Sequence, residues 1–135
     1  MAKLVLTNPA ITIASVNLAD HVANVSLNQS FADVLTTAFG STSVTRVAGL
    51  GDHSISLDFH EDFAATEVFA TIASAVGTSV AVTVKPVDAT TSATNPQWSF
   101  NVIVTEWPLL NGAVGDLATA SVTWPIDGAI TTATS

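Results

Sequence analysis

The densest group of chemically capable side chains lies between residues 53 and 67, HSISLDFHEDFAATE, where His53 and His60 stand among Asp58, Glu61, Asp62 and Glu67. Imidazoles and carboxylates in this proportion bind zinc or exchange protons with a substrate, provided that three or more of them converge. The spacing argues against convergence. A strand sends alternate residues to opposite faces, so His53, Ile55, Leu57 and Phe59 form one set while Ser54, Ser56 and Asp58 form the other. His53 opens the apolar set and His60 falls on the polar side beside Asp58, which separates the two imidazoles. The third histidine, His21 in NLADHVANV, has no spacing relation to either. DFHED lacks the regularly spaced oxygens and central glycine of a calcium loop. Glu61 and Asp62 fall at the start of a predicted helix, where carboxylates meet unpaired N–H groups and the positive end of the dipole for about 0.3–1 kcal/mol each. The cluster reads as structural, and no catalytic residue, metal or cofactor is expected.

Other chemistry is equally thin. No nucleophile elbow, P-loop or dinucleotide glycine pattern occurs, and the glycines of GLGDHS (49–54) precede a strand instead of a phosphate-binding helix. Cysteine is absent, which excludes disulfides, iron–sulfur clusters and thiol nucleophiles. Lys3, Arg46 and Lys85 are the only lysines and arginines against eleven acids, for a net charge of -8. Such a chain has too few cations to displace counterions from nucleic acid, so specific DNA or RNA binding is excluded. MAKLVLTNPAITIAS has no apolar run of signal length, and no stretch of about 18 apolar residues occurs, so a soluble protein made in the cytosol is expected. Without an export signal, the acceptor tripeptides NVS at 24 and NQS at 28 carry no weight. Only 10% of residues are charged while 48% are hydrophobic, which implies apolar surface buried against further copies of the chain.

The elements that would position these residues are mostly strands. Val, Thr, Ile, Ala and Ser dominate, apolar positions recur every second residue, and Gly, Pro and Asn mark turns. The pattern predicts strands at 3–7, 10–14, 23–29, 31–39, 53–59, 79–86, 98–107 and 117–126. One helix is predicted over 62–76, with Phe63, Val68, Ile72, Ala75 and Val76 on one face and Gly77 as its stop. Residues 88–97 read as a polar loop and 128–135 as a flexible or exchanged C-terminal arm of the single domain 1–135. Strand parity supplies a core of Ile55, Leu57, Phe59, Val80, Val82, Val84, Trp98, Phe100, Val102, Val104, Val122, Trp124 and Ile126, and puts Ile103 and Trp107 on the opposite faces among polar neighbours. The expected class is mainly β, a sandwich with one helix against it.

Taken in order, VNLADHVANVSLNQSFADVLTTAFGSTSVTRVAGLGDHSISLDFHEDFAATEV (16–68) and VTVKPVDATTSATNPQWSFNVIVTEWPLLNGAVGDLATASVTWPIDGAI (82–130) resemble the major tail proteins, or tail tube proteins, of long-tailed, non-contractile bacteriophages. The resemblance implies a β-sandwich or barrel-like fold with a flanking helix, six copies closing a ring, and rings stacking into the tube through which the genome leaves the capsid. It also implies a virion protein assembled in the host cytoplasm, with other tail proteins as partners and no membrane. A long loop between two early strands reaches the neighbouring subunit or ring in that family. The matching stretch is GSTSVTRVAGLGD (40–52), with Gly40, Ser41, Thr42, Val44, Arg46, Val47 and Leu50 as contact residues. An unstructured loop of this length is usually functional or ordered by contact, and Arg46 has a natural partner in an acid of an adjacent subunit.

A wall of acids facing the bore would repel duplex DNA, which carries one negative charge per ~1.7 Å of axis, so that the genome slides without specific binding. Screening over roughly 8 Å restricts the effect to acids at the bore. Asp58, on the polar face of its strand, is the first candidate, followed by Asp33 and Glu106. Two other readings stand at this point. One is a decoration protein of a phage head. The other is a carbohydrate-binding module stacking sugars on Trp98, Trp107 and Trp124.

Overall fold

Alternation of β-branched and small polar residues produces nine strands in the computed structural model, which describes residues 3–63 and 68–135. They are β1 (Ala10–Ile13), β2 (Val16–Asn17), β3 (Val22–Asn28), β4 (Phe31–Leu35), β5 (Arg46–Gly51), β6 (Ser54–His60), β7 (Ser79–Lys85), β8 (Gln97–Ile103) and β9 (Thr119–Ala133). Seven form one curled antiparallel sheet in the order β2-β1-β7-β8-β9-β6-β3, and β4 pairs with β5 in a separate ribbon. The molecule is mainly β, as the sequence predicts.

The sheet folds into a sandwich because β9 belongs to both halves. Its first part pairs with β6, from His60 opposite Thr119 to Ser54 opposite Pro125. Its second part pairs with β8, from Val102 opposite Ile126 to Gln97 opposite Ala133. Pro125 has no N–H to give the ladder, Gly128 has φ +96°, and the register slips between Ser99 and Asn101. These are the devices that bend a strand and let it change partners. Residues 128–133, expected as an arm, are therefore sheet: Thr131, Thr132 and Ala133 lie opposite Ser99, Trp98 and Gln97.

Parity places the core as expected in β6 to β9. Ile55, Leu57, Phe59, Val82, Val84, Phe100, Val102, Val122, Trp124 and Ile126 are buried, and Val80 and Trp98 are half-buried against them. Burial of each large side chain contributes about 1.5–3 kcal/mol. Trp107 departs from the expectation. Val104, just past the end of β8, is still buried as parity predicts, but the alternation is lost after it, and the chain turns Trp107 inward against Phe59, ring centroids 5.4 Å apart. The indole N–H of Trp124 donates to the Glu106 carbonyl at 3.0 Å, fixing the same segment.

The described helix is short: α1 (Val68–Ile72), followed by a 3-10 turn at Ala73–Ala75. Val68, Ile72 and Ala75 face the core, and Gly77, with φ +84°, ends the helical run. Asp62 and Phe63 are not helical, because the backbone N–H of Glu61 still donates to Ala118 and prolongs the strand. Phe63 and Val76 are exposed instead of joining the buried face. Residues 64–67 of the predicted helix, Glu67 among them, lie outside the described residues. Leu4, Val5 and Leu6, expected in a strand at 3–7, are exposed and outside any strand.

Candidate subunit-contact surface

β4 and β5 are the distal half of one long hairpin. Asn28 lies opposite Ser54 at the end of the β3–β6 ladder, and Phe31 lies opposite Gly51 at the start of the β4–β5 ladder. The register hardly changes across the gap, so the ribbon continues the β3–β6 hairpin beyond the sandwich. At ~3.3 Å per residue, the four steps of β4 from Phe31 to Leu35 span about 13 Å, and the connection carries the chain further. Residues 46–51, read as part of a structureless loop, are strand; the connection is 36–45. It is tightened by the Thr36 and Thr45 hydroxyls, 2.8 Å apart, and by a Thr36 N–H donating to the Thr45 carbonyl at 2.9 Å.

The root of this arm is built around His53. The Asp52 N–H donates to the Ser30 carbonyl at 2.7 Å, while the Ser30 N–H donates to His53 Nδ1 at 3.1 Å. An imidazole nitrogen thus takes the place of a backbone acceptor. Phe31 packs edge-on to the imidazole with centroids 5.2 Å apart. A Cβ on Gly51 would stand 2.7 Å from that ring, and one on Gly49 would stand 2.8 Å from Val34 Cγ2. The glycines that suggest a loop are the ones that let two strands and a ring approach.

Beyond the root, every residue from Phe31 to Leu50 is exposed except half-buried Gly49. Leu35 is 62% exposed, Leu50 87% and Phe39 fully, with Val34, Val44 and Val47 also open. Gly40, Ser41, Thr42 and Val44 lie in the connection at the tip, and Arg46, Val47 and Leu50 lie on β5. Arg46, expected to await another subunit, is paired within its own chain: its Nε is 2.9 Å from Asp33 Oδ2. These are the only charged side chains between residues 31 and 51, so the arm is neutral in a chain of charge -8.

The three candidate acids occupy three different settings. Asp33 is on the arm, neutralised by Arg46. Asp58 is the one carboxylate on the outer face of β3, β6 and the first part of β9, and receives a hydrogen bond from Asn24 Nδ2 at 3.3 Å. That face is otherwise largely Ser, Thr and Asn, with the Ser56 and Thr123 hydroxyls 3.0 Å apart. Glu106 follows β8 and accepts the Thr123 N–H at 3.2 Å.

Sequence spacing missed one meeting of titratable groups. His21 Nε2 stands 3.7 Å from Asp62 Oδ2 and equally far from Asp20 Oδ2. Nearby in sequence, His60 Nδ1 and both Glu61 carboxylate oxygens are buried without a hydrogen-bond partner, as is Trp107 Nε1. Burial raises the pKa of the Glu61 carboxyl from its ordinary value. Among the described residues, no group of three histidines and acids converges as a metal would require. Trp124 and Trp107 are buried in the core, so with only Trp98 half-open the tryptophans form no stacking platform for a sugar.

No family model matches the sequence, and no curated protein matches it. Solved structures do match in fold. A chain in the tail of an empty GTA particle, refined helically with C6 symmetry, aligns with TM-score 0.60 and 18% identity over 82% of this chain and 81% of its own. A chain in the six-fold symmetrised baseplate of the anti-feeding prophage (AFP) aligns with TM-score 0.58 and 8% identity over 99% of this chain and 98% of its own. At these identities the likeness is one of architecture: the chain shares its fold with components of tail-type particles.

Proposed function

We propose that this chain is a structural, non-enzymatic subunit of a phage tail, whose copies close into hexameric rings that stack into a tube for DNA ejection. The observation that carries the proposal is the arm. A two-stranded ribbon with exposed apolar side chains and free edges is at best marginally stable in water, and natural proteins cover such edges. Contact with neighbouring copies supplies that cover. The neutrality of the arm fits it for this contact, because two surfaces of an acidic chain repel unless they meet where charge is absent or paired. The shared fold with components of two particles of six-fold symmetry supports the same reading.

In such a tube the genome passes without specific binding, and the sparse cations of this chain give phosphates nothing to hold. The outer face carrying Asp58 is our candidate for the lumen wall. It is hydroxyl-rich, with one carboxylate per copy, which would line the bore with a regular ring of negative charge. Asp33 is a weaker candidate, since Arg46 cancels it.

Electron microscopy of the purified protein tests the proposal. Rings with six-fold symmetry and an axial hole, or tubes built of them, are expected. Particles without sixfold closure, or a channel lined by lysine and arginine, would overturn it.

A further inference from the structure

If copies meet through the arm, some surface of the next copy must receive it. β3 is the outermost strand of its sheet: β6 pairs with one side, and no described strand pairs with the other. Beside that bare edge the sandwich stays open. Cavities of about 160, 240 and 350 Å³ adjoin along the opening: the second shares Leu27 and Trp98 with the first, and Gln29 and Ile130 with the third. Among the described residues no carboxylate lines them, and Lys85 is the one charged residue that does. The opening is therefore a groove with Leu27, Trp98 and Ile130 as apolar walls beside Gln29 and His53, with a strand edge along it and none of the negative charge that dominates the chain among its described residues.

We propose that the arm of one copy adds to the bare β3 edge of the next, with its apolar side chains entering this groove. The inference rests on the proposed assembly and specifies its contact. Three features select this occupant. β4 and β5 pair only with each other among the described strands, so they bring free N–H and C=O groups of the kind that the β3 edge leaves unmet. The arm is neutral and apolar, and the groove offers apolar walls without an acid, so the contact avoids like charges. Of the arm, only Phe31 and Gly51 at its base line the groove of its own chain, and the remainder, from Ala32 to Leu50, lines none of the three cavities, which leaves the groove for another copy. Because arm and groove are different surfaces, the contact is head-to-tail, the type that closes a ring when its rotation permits.

Hydrogen–deuterium exchange of the full chain, free and assembled, tests this. Exchange within residues 22–28 is expected to slow on the order of tenfold or more on assembly, together with residues 31–51. The double variant Ser26→Lys/Asn28→Lys puts charged side chains at exposed positions of the edge, a natural block to strand addition. It is expected to keep the thermal midpoint of the free protein and lose assembly. Assembled wild type whose residues 22–28 exchange as fast as in the free chain, or a double variant that assembles normally, overturns the inference and leaves the proposed function standing. A wild-type chain that forms no oligomer at any concentration overturns both.

Discussion

Glu61 shows what a single carboxyl does when it is enclosed without a partner. Desolvation raises its pKa, so the folded chain holds this proton more tightly than the unfolded chain. Its contribution to stability is fully present below the ordinary glutamate value of about 4.3, and is lost as pH rises through the elevated folded value. Glu61→Gln should remove that decline. In urea titrations at a series of pH values, its advantage over wild type should grow from acid toward neutral pH. Asn95 is the opposite case, a buried amide with its hydrogen bonds made. Its Nδ2 donates to the carbonyls of Val87, Ala89 and Thr90, and its Oδ1 accepts the Val87 N–H. Asn95→Asp would set a carboxylate against three carbonyl oxygens, and a loss of about 1–3 kcal/mol is expected in the same titrations. The exposed Arg46–Asp33 pair should matter far less. Arg46→Ala should cost under about 1 kcal/mol, with most of the effect gone in high salt.

At the scale of elements, the decisive piece is the root of the arm. His53→Phe keeps an aromatic ring beside Phe31 but leaves the Ser30 N–H without its acceptor, and Gly51→Ala drives a methyl group into the imidazole. Both should loosen the arm more than the body. Amide exchange in residues 28–35 and 46–53 should quicken, while β7 and β8 stay protected. The sequence displayed most of the body and little of this root. Parity located the inward residues of β6, β7, β8 and β9 because each of those strands has one face in the core. It misjudged Trp107 because alternation says nothing once a strand has ended. The segment around Leu4 has strand composition, but a strand also needs a neighbour, which composition does not contain. The arm looked like a loop because Gly49 and Gly51 are usually read as flexibility. Here they make room for Val34, Phe31 and His53. The approach of His21 to Asp62 depends on chain paths that no spacing rule encodes.

For the whole molecule, the division is between an acidic body and a neutral, apolar arm. Replacing Leu35 and Leu50 with serine should change the stability of the free chain by no more than about 0.5 kcal/mol each, since both side chains lie open. The same pair should abolish assembly in sedimentation velocity if the arm is the contact. Raising salt should favour assembly of the wild type, because screening weakens repulsion between bodies of charge -8 and takes nothing from an apolar contact. The continuity of the arm with β3 and β6 has a mechanical side as well. A pull on the arm draws on β3 and β6 together and reaches the body through the β6–β9 ladder, seven residue pairs long, so that several hydrogen bonds share the tension. β9 passes that load on to β8 across the bend at Pro125. A subunit tugged by its extension would strain as a unit, like a rope spliced into the weave of a net.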